Sequence, residues 1–427
     1  MSTFYFAAPD ALLGWLKKLA ADYRVLAPRK EGRSVMFRPH TADELTDMDE
    51  LLRRATASPK GAAIPHSETL VRFTSTKDAE DPARLNTSLE APCGDVPTLL
   101  FGGRPCDARG FVVLDRPYLE GTFKDPYYAA RRDALVIVSQ ACPTAFATCF
   151  CHWVGGSPAG REGSDILFTA VDGGFVLESV TEKGAKLLET AGFASGEDKK
   201  DEAEAAHRKA EASLGAPSTL ENIPARVAAR FRDEAFWIKE TEKCLSCGAC
   251  TYLCPTCQCF TITDEGSQLD GRRIRSWDSC MSPLFTLETS GHNPRAEKFK
   301  RMRNRISHKF SYYPQSYNGE YSCVGCGRCV VSCPVSLDIR QVVKHAVEGA
   351  PEIAQEAASK PAKPAPGAEA PKPAPARVKA SAAASEPASP VEEPKEAPKA
   401  EAAPKAPAKS EARPKTGGKP KSGKKSR

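Results

Sequence analysis

The chain of 427 residues lacks the sequence features of a membrane protein, a secreted protein or a nucleotide-binding protein. Its longest apolar runs, such as residues 134–138, have the length of a buried strand, far below the roughly 20 residues that a membrane helix needs. The N-terminus carries Asp10 within its apolar stretch and has no basic start, which argues against a signal peptide. No Rossmann or P-loop glycine fingerprint occurs. We therefore expect a cytoplasmic protein with no transmembrane segment and no nucleotide or flavin site of its own.

The part of the chain that can fold also lacks an excess of positive charge. The formal net charge is +6, but residues 357–427 contain 16 Lys and Arg against 7 Glu, a net of +9, so the rest sums to −3. This balance argues against nucleic-acid binding by the core. Residues 351–427 are rich in Ala, Pro and Lys without aromatic residues, and are predicted to be a disordered tail. The tail is either a solubilising tether or an electrostatic arm for an acidic partner.

Cysteine, in contrast, is abundant at 16 residues, and eight of them form two copies of the spacing C-x2-C-x2-C-x3-C-P. This is the bacterial ferredoxin spacing, in which three thiolates surround one 4Fe–4S cube and the fourth ligates the other cluster. Gly248 and Gly327 would let the loops bend around the cubes. Structural zinc, the alternative, favours pairs of C-x2-C and does not need the third cysteine or the C-P. The predicted ligands are Cys244, Cys247, Cys250 and Cys333 for cluster 1, and Cys323, Cys326, Cys329 and Cys254 for cluster 2.

A second group of cysteines lies upstream of both motifs, at positions 106, 142, 149 and 151. Cys149 and Cys151 form a C-x-C, which in an extended segment places both sulfurs on one face. Together with Cys106 and Cys142 they could hold a third 4Fe–4S cluster. The alternative is that these four are structural cysteines that pack as small hydrophobic side chains.

The remaining polar and thiol residues near the motifs allow two interpretations each. Cys257, Cys259 and Cys280 are buried packing residues or ligands to a further group, and Cys93 is predicted to be inert. His152 is an ordinary histidine or a donor to a cluster sulfur. A basic group between the motifs is a solvated helix face or a compensation of cluster charge. The members of this basic group are Arg303, Arg305, His308 and Lys309.

The predicted fold class is α+β, in three parts. Residues 1–235 form a mixed α/β domain, residues 236–350 a mostly helical two-cluster ferredoxin-like domain, and residues 351–427 the tail. Apolar periodicity predicts the following segments. Helices are expected at 10–23, 41–55, 183–191, 195–212, 223–236, 298–309 and 338–349, and strands at 69–73, 98–101, 134–138, 166–170 and 175–179.

Several segments together resemble the beta subunit of cytoplasmic sulfhydrogenases and the corresponding iron–sulfur subunit of anaerobic sulfite reductase. They are residues 104–107, 125–128, 148–151, 244–260, 275–280, 304–310 and 323–329. The resemblance covers about residues 50–345 and leaves out the tail. It implies an electron-relay subunit, with a flavin subunit that exchanges electrons with NAD(P)H on one side. On the other side it implies a hydrogenase, a sulfite reductase or a heterodisulfide-reductase-like subunit. It also favours a third cluster at the upstream cysteines.

Two functions therefore compete at this stage. The first is a non-catalytic iron–sulfur subunit that carries electrons within a larger oxidoreductase, because two full cluster motifs occur without a substrate or nucleotide site. The second is an enzyme that reduces sulfur species directly at the upstream cysteines.

Overall fold

Two sheets and a set of mostly short helices make up the fold, which is known from a computed structural model. The structure describes residues 3–81, 83–94, 96–267 and 269–349. These residues belong to one compact unit, residues 1–360, and the predicted tail lies outside them. The division predicted near residue 235 stays a prediction.

The strands fall into an eight-stranded sheet and a four-stranded sheet, with orders β10-β1-β9-β8-β7-β6-β2-β3 and β11-β12-β4-β5 among the described residues. They are β1 (Phe4–Ala7), β2 (Arg24–Glu31), β3 (Ser34–His40), β4 (Ser67–Lys77), β5 (Leu85–Glu90), β6 (Thr98–Gly103), β7 (Leu135–Gln140), β8 (Ile166–Val171), β9 (Gly174–Ser179), β10 (Ala194–Ser195), β11 (Phe260–Gly266) and β12 (Asp270–Trp277).

The helices surround these sheets, and the described segments are as follows. They are α1 (Pro9–Leu19), α2 (Met48–Leu51), α3 (Pro105–Leu119), α4 (Pro126–Asp133), α5 (Glu182–Glu189), α6 (Lys200–Ala212), α7 (Ile223–Ala229), α8 (Glu234–Thr241), α9 (Ala249–Tyr252), α10 (Lys298–Ser307), α11 (Tyr313–Ser316), α12 (Arg328–Val331) and α13 (Ile339–Glu348). A π-helical segment, His308–Tyr312, continues α10, and a 3-10 turn, Cys151–Val154, precedes β8.

The centre of the large sheet is buried on both faces because its strands are continuously apolar. Strands β2, β6, β7 and β8 run parallel to one another, and every residue of β6 and β7 is buried. Alternate residues of β7 point to opposite faces, as a pleated strand requires. Val136 and Val138 pack with α1, whereas Leu135 and Ile137 pack with α3. The sheet is therefore a middle layer between helices.

The small sheet joins distant parts of the chain. Strand β4 pairs antiparallel with β12, so that Ser67 lies opposite Ser276. A second apolar core lies among α7, α8, α10 and α13 and includes cysteines of both ferredoxin motifs. The α+β class is therefore confirmed.

Candidate metal centres

The loop before α9 carries Cys244 and Cys247 and curls tightly, and Cys250 lies in the first turn of α9. Ser246 and Gly248 both have a positive φ, of 56° and 75°. The backbone N–H of Ser246 points at the sulfur of Cys244, at 3.4 Å. One cavity is lined by the sequence-predicted ligands of cluster 1, together with Cys329 of the second motif. These lining ligands are Cys244, Cys247, Cys250 and Cys333.

A second cavity adjoins the first and holds the predicted ligands of cluster 2. Cys323, Cys326 and Cys329 line it with Cys254, the last cysteine of the first motif. Each cavity thus includes the last cysteine of the opposite motif, Cys333 in the first and Cys254 in the second, as crossed ligation requires. Among the described residues, no three Cys, His, Asp or Glu side chains converge as they would around a single metal ion. The thiols line the walls of a cavity, which fits a cube of four irons and four sulfides.

Three cations are buried beside these thiols and lack carboxylate partners. Lys60, Arg305 and Lys309 are each 3–4 % exposed, and no ion pair to them occurs among the described residues. A buried charge without a counter-charge is strongly unfavourable. The anionic thiolates and clusters are the only groups of opposite charge that the geometry of the described residues offers them.

Each cation has a defined place. The Lys309 ammonium donates to the sulfur of Cys254 at 3.5 Å and to the Ser322 carbonyl at 2.8 Å. Burial lowers its pKa, but the charges of Cys254, Cys257 and Cys323 raise it more, and the net shift is upward. The guanidinium of Arg305 lines both cavities and donates to the Cys250 carbonyl at 3.4 Å. The solvated helix face that the sequence also allowed is wrong for these two residues.

Lys60 is the third of these buried cations. No sequence motif in its part of the chain indicated that it would lie beside the clusters. Its ammonium donates to the carbonyl of Cys257 at 2.8 Å and lies 4.2 Å above the ring of Trp277. It follows Pro59 in a short 3-10 turn before β4. Only the packing of this turn against the cysteine loop brings it there.

The upstream cysteines come together at one edge of the large sheet. Cys106 begins α3, directly after β6, and Cys142 follows β7. Because β6 and β7 are neighbouring parallel strands, their carboxyl ends meet at the same edge, where α/β sheets commonly bind ligands. Burial, followed by the charges of Cys149 and Cys142, raises the pKa of Cys151 to about 11. Cys106 and Cys151 line one cavity.

These cysteines lie directly against the second ferredoxin loop. The N–H of Phe150 donates to the Gly325 carbonyl at 2.8 Å. Gly325 and Gly327 have φ values of 63° and 72°, and a Cβ at either would collide with the backbone of the loop at residues 148–151. Arg328 forms a buried ion pair with Asp107, with bonds of 2.5 and 2.9 Å. No sequence signal marks this ion pair, since 221 residues separate its members.

The other predicted candidates lie apart from the cavities. Cys93 is exposed. The ring of His152 contacts the carbonyl of Ala216 at 3.1 Å and not a cysteine sulfur.

Comparison with known proteins agrees with this geometry. A family model described as a 4Fe–4S dicluster domain matches residues 243–337. The chain is also 30 % identical over 324 residues to sulfhydrogenase 2 subunit beta of Pyrococcus furiosus, a match that covers 74 % of this chain and 89 % of that protein. The chain belongs to the sulfhydrogenase beta-subunit family. No solved structure matches it.

Membership of this family shows which class of cofactor the chain binds and which class of protein it is. A member of this family with a dicluster domain is an iron–sulfur subunit of an oxidoreductase, and its cofactors are two 4Fe–4S clusters that transport electrons. The cluster supplies one-electron chemistry, and the chain supplies thiolates, buried cations and exclusion of water. Among the described helices, none combines the length and the apolar character needed to cross a bilayer.

Proposed function

We propose that this protein relays electrons between a flavin subunit linked to NAD(P)H and a terminal catalytic subunit. The terminal subunit would be a hydrogenase, a sulfite reductase or a heterodisulfide-reductase-like protein. The observation that carries the proposal is the contact between the two cluster cavities, which share Cys329 and Arg305. Centres this close allow electrons to pass inside one buried core. The relative's name, a sulfhydrogenase subunit, supports the hydrogenase as terminal partner.

The surface supports a docking end at cluster 1. Cys247 is exposed, and so is the apolar side chain of Leu245, which lines the cluster 1 cavity and is 64 % exposed. Apolar side chains beside a redox centre favour contact with a partner protein. We therefore place cluster 1 at one end of the relay.

The ligand sets that we propose are crossed. Cluster 1 takes Cys244, Cys247, Cys250 and Cys333, and cluster 2 takes Cys323, Cys326, Cys329 and Cys254. The placement of Cys333 and Cys254 in the cavities of the opposite motifs supports this assignment.

Double variants test the crossing. In a crossed scheme Cys244→Ser and Cys333→Ser damage the same cluster, so the double variant should lose about four irons, like either single variant. Cys244→Ser with Cys254→Ser should lose about eight. Iron and acid-labile sulfide per chain, measured on anaerobically purified protein, give the answer, with Cys93→Ser as the control that keeps all iron. Loss of both clusters in Cys244→Ser/Cys333→Ser would show uncrossed ligation, and zinc without sulfide would end the relay proposal.

We further propose that Cys106, Cys142, Cys149 and Cys151 hold a third 4Fe–4S cluster, next to cluster 2. Their convergence at one sheet edge and their contact with Gly325 and Gly327 support this. Wild-type protein should then contain about 12 irons per chain, and Cys142→Ser about eight. A wild-type content of about eight would reject the third cluster.

The competing function, direct reduction of sulfur species at these same cysteines, has one observation in its favour. Cys106 and Cys151 line a cavity together with Arg109 and its ion-pair partner Glu162, so thiols and a charged pair lie side by side there. Under this function Cys149→Ser should abolish turnover while clusters 1 and 2 are still reduced. Unchanged turnover would exclude it.

A further inference from the structure

Three cysteines beside the clusters have no place in the ligand sets above, and two of them are held together by a hairpin. Cys259 precedes β11 and Cys280 lies shortly after β12. Phe260 pairs with Trp277, and the next backbone bond runs from the N–H of Asp278 to the carbonyl of Cys259 at 2.9 Å. The thiol and the backbone N–H of Cys280 lie close enough to the sulfur of Cys259 to lower the pKa of that thiol. The strand ladder therefore fixes two thiols in contact.

The environment of the pair connects it with the clusters. Cys280 is buried in the same apolar core that Cys244 and Cys250 border, and Cys259 packs against that core. The third unassigned thiol, Cys257, forms a hydrogen bond with Cys254, a proposed ligand of cluster 2. Two pairs of neighbouring sulfurs, Cys254 with Cys257 and Cys259 with Cys280, thus lie beside the proposed clusters.

The two thiols differ in pKa, as the two cysteines of a reactive dithiol do. The hydrogen bond from Cys280 lowers the pKa of Cys259 to about 6, and the same bond raises the pKa of Cys280. The lowered pKa favours the thiolate of Cys259, the form that reacts with sulfur. Cys259 is also partly exposed, whereas Cys280 is 8 % exposed, so protons can reach the pair from solvent at Cys259.

We propose that Cys259 and Cys280 form a dithiol–disulfide centre that exchanges two electrons with the two 4Fe–4S clusters. Reduction breaks the S–S bond, takes one electron from each reduced cluster, and adds one proton to each sulfur. Oxidation forms the S–S bond, releases two protons and returns one electron to each oxidised cluster. The inference rests on the proposed relay, because the clusters are the source and the acceptor of these electrons. The centre would couple the one-electron steps of the clusters to two-electron chemistry in a partner.

A ligand role for these cysteines fits the geometry less well. Their sulfur contacts are pairwise, Cys259 with Cys280 and Cys257 with Cys254. Two neighbouring sulfur atoms can instead form a disulfide bond with each other.

The test uses the wild-type holoprotein, held anaerobically at a series of potentials, after which free thiols are alkylated and the protein is digested with trypsin. Arg272, Arg273 and Arg275 lie between the two cysteines, so a disulfide appears as two cross-linked peptides in the mass spectrum. The ratio of disulfide to dithiol should change about tenfold for every 30 mV, the slope of a two-electron couple. Cys280→Ser should lack the cross-link, and Cys257→Ser, which removes the neighbouring thiol on the same peptide, should keep it.

Iron content in the same samples separates this inference from the relay. Complete alkylation of Cys259 and Cys280 at every potential would overturn the dithiol centre, even with both clusters present. A loss of about four irons in Cys280→Ser would also overturn it, because the cysteine would then be a cluster ligand. Wild-type protein without iron and sulfide would instead overturn the relay, whatever the peptides show.

Discussion

Lys309 shows most clearly how one residue can control a cluster in this protein. It is a buried lysine on the segment that continues α10, and its ammonium contacts the sulfur of Cys254. A reduced 4Fe–4S cluster carries one more negative charge than an oxidised one, so a nearby cation stabilises the reduced form. Lys309 should therefore raise the potential of cluster 2, for which we propose Cys254 as a ligand.

Replacing this lysine by methionine, which keeps much of the chain length without the charge, should lower the potential of cluster 2. A unit charge about 5 Å away, at an effective dielectric constant of about 20, corresponds to a decrease on the order of 100 mV. Redox titration followed by electron paramagnetic resonance measures it. The control is Lys300→Met on α10, where the lysine pairs with Glu297 at the surface. An equal change in both variants would show that Lys309 has no special role.

At the scale of secondary-structure elements, side-chain caps explain why two predicted helices do not form as single continuous helices. The helix predicted at 41–55 is wrong, since only a 3-10 turn and the four-residue α2 form there. The carboxylate of Glu44 accepts from the backbone N–H of Thr41, and that of Asp47 accepts from the N–H of Asp49. Such side-chain bonds to the backbone compete with a continuous helix.

The helix predicted at 223–236 is interrupted for the same reason. Asp233 accepts from the N–H of Phe236 and starts α8 as a separate helix. The helices at 183–191, 298–309 and 338–349 are confirmed as α5, α10 and α13, and the five predicted strands each overlap an observed strand. Hairpin β11–β12 was not predicted, because every residue of β11 is exposed and the strand shows no alternation of buried and exposed positions.

The second ferredoxin loop depends on glycine for its contact with the upstream cysteines. Gly327→Ala adds a side chain at positive φ that collides with Thr148, and should cost at least about 1–3 kcal/mol of stability. We expect it to reduce the iron content. Gly319→Ala is the matched control, because Gly319 also has a positive φ, of 87°, but nothing lies within 4 Å of its Cβ position. The iron content of both variants is then measured. Equal losses of iron would mean that the positive φ, and not the collision with Thr148, causes the loss.

At the scale of the whole molecule, ion pairs and strand pairing tie the cysteine-rich segment to the N-terminal part. Strands β4 and β12 form seven residue pairs across this division. The Arg328–Asp107 ion pair is almost completely buried, with side chains 3 % and 1 % exposed. It connects the second ferredoxin loop to the helix that carries Cys106.

Asp107→Asn hardly changes the shape of the side chain. It should nevertheless destabilise the folded protein strongly. It leaves Arg328 charged and buried without a counter-charge, which costs about 3–5 kcal/mol. Chemical denaturation of the anaerobic holoprotein measures the loss. In the control, Asp264→Asn breaks an ion pair whose members are more than half exposed, and should destabilise the protein far less. Similar values for both would contradict the importance of burial.

The sequence alone determined the cofactor chemistry, because the spacing of cysteines along one loop is a local property that a 4Fe–4S cube recognises. It also determined the class of fold and most buried strands, since continuous apolar runs have no alternative to burial. The tertiary structure alone decided which residues surround the clusters. Lys60, Asp107 and the contact between Cys259 and Cys280 come from distant segments or from an exposed hairpin. Long-range packing and charge pairing depend on the three-dimensional arrangement of the elements. The spacing of residues along the chain does not reveal that arrangement.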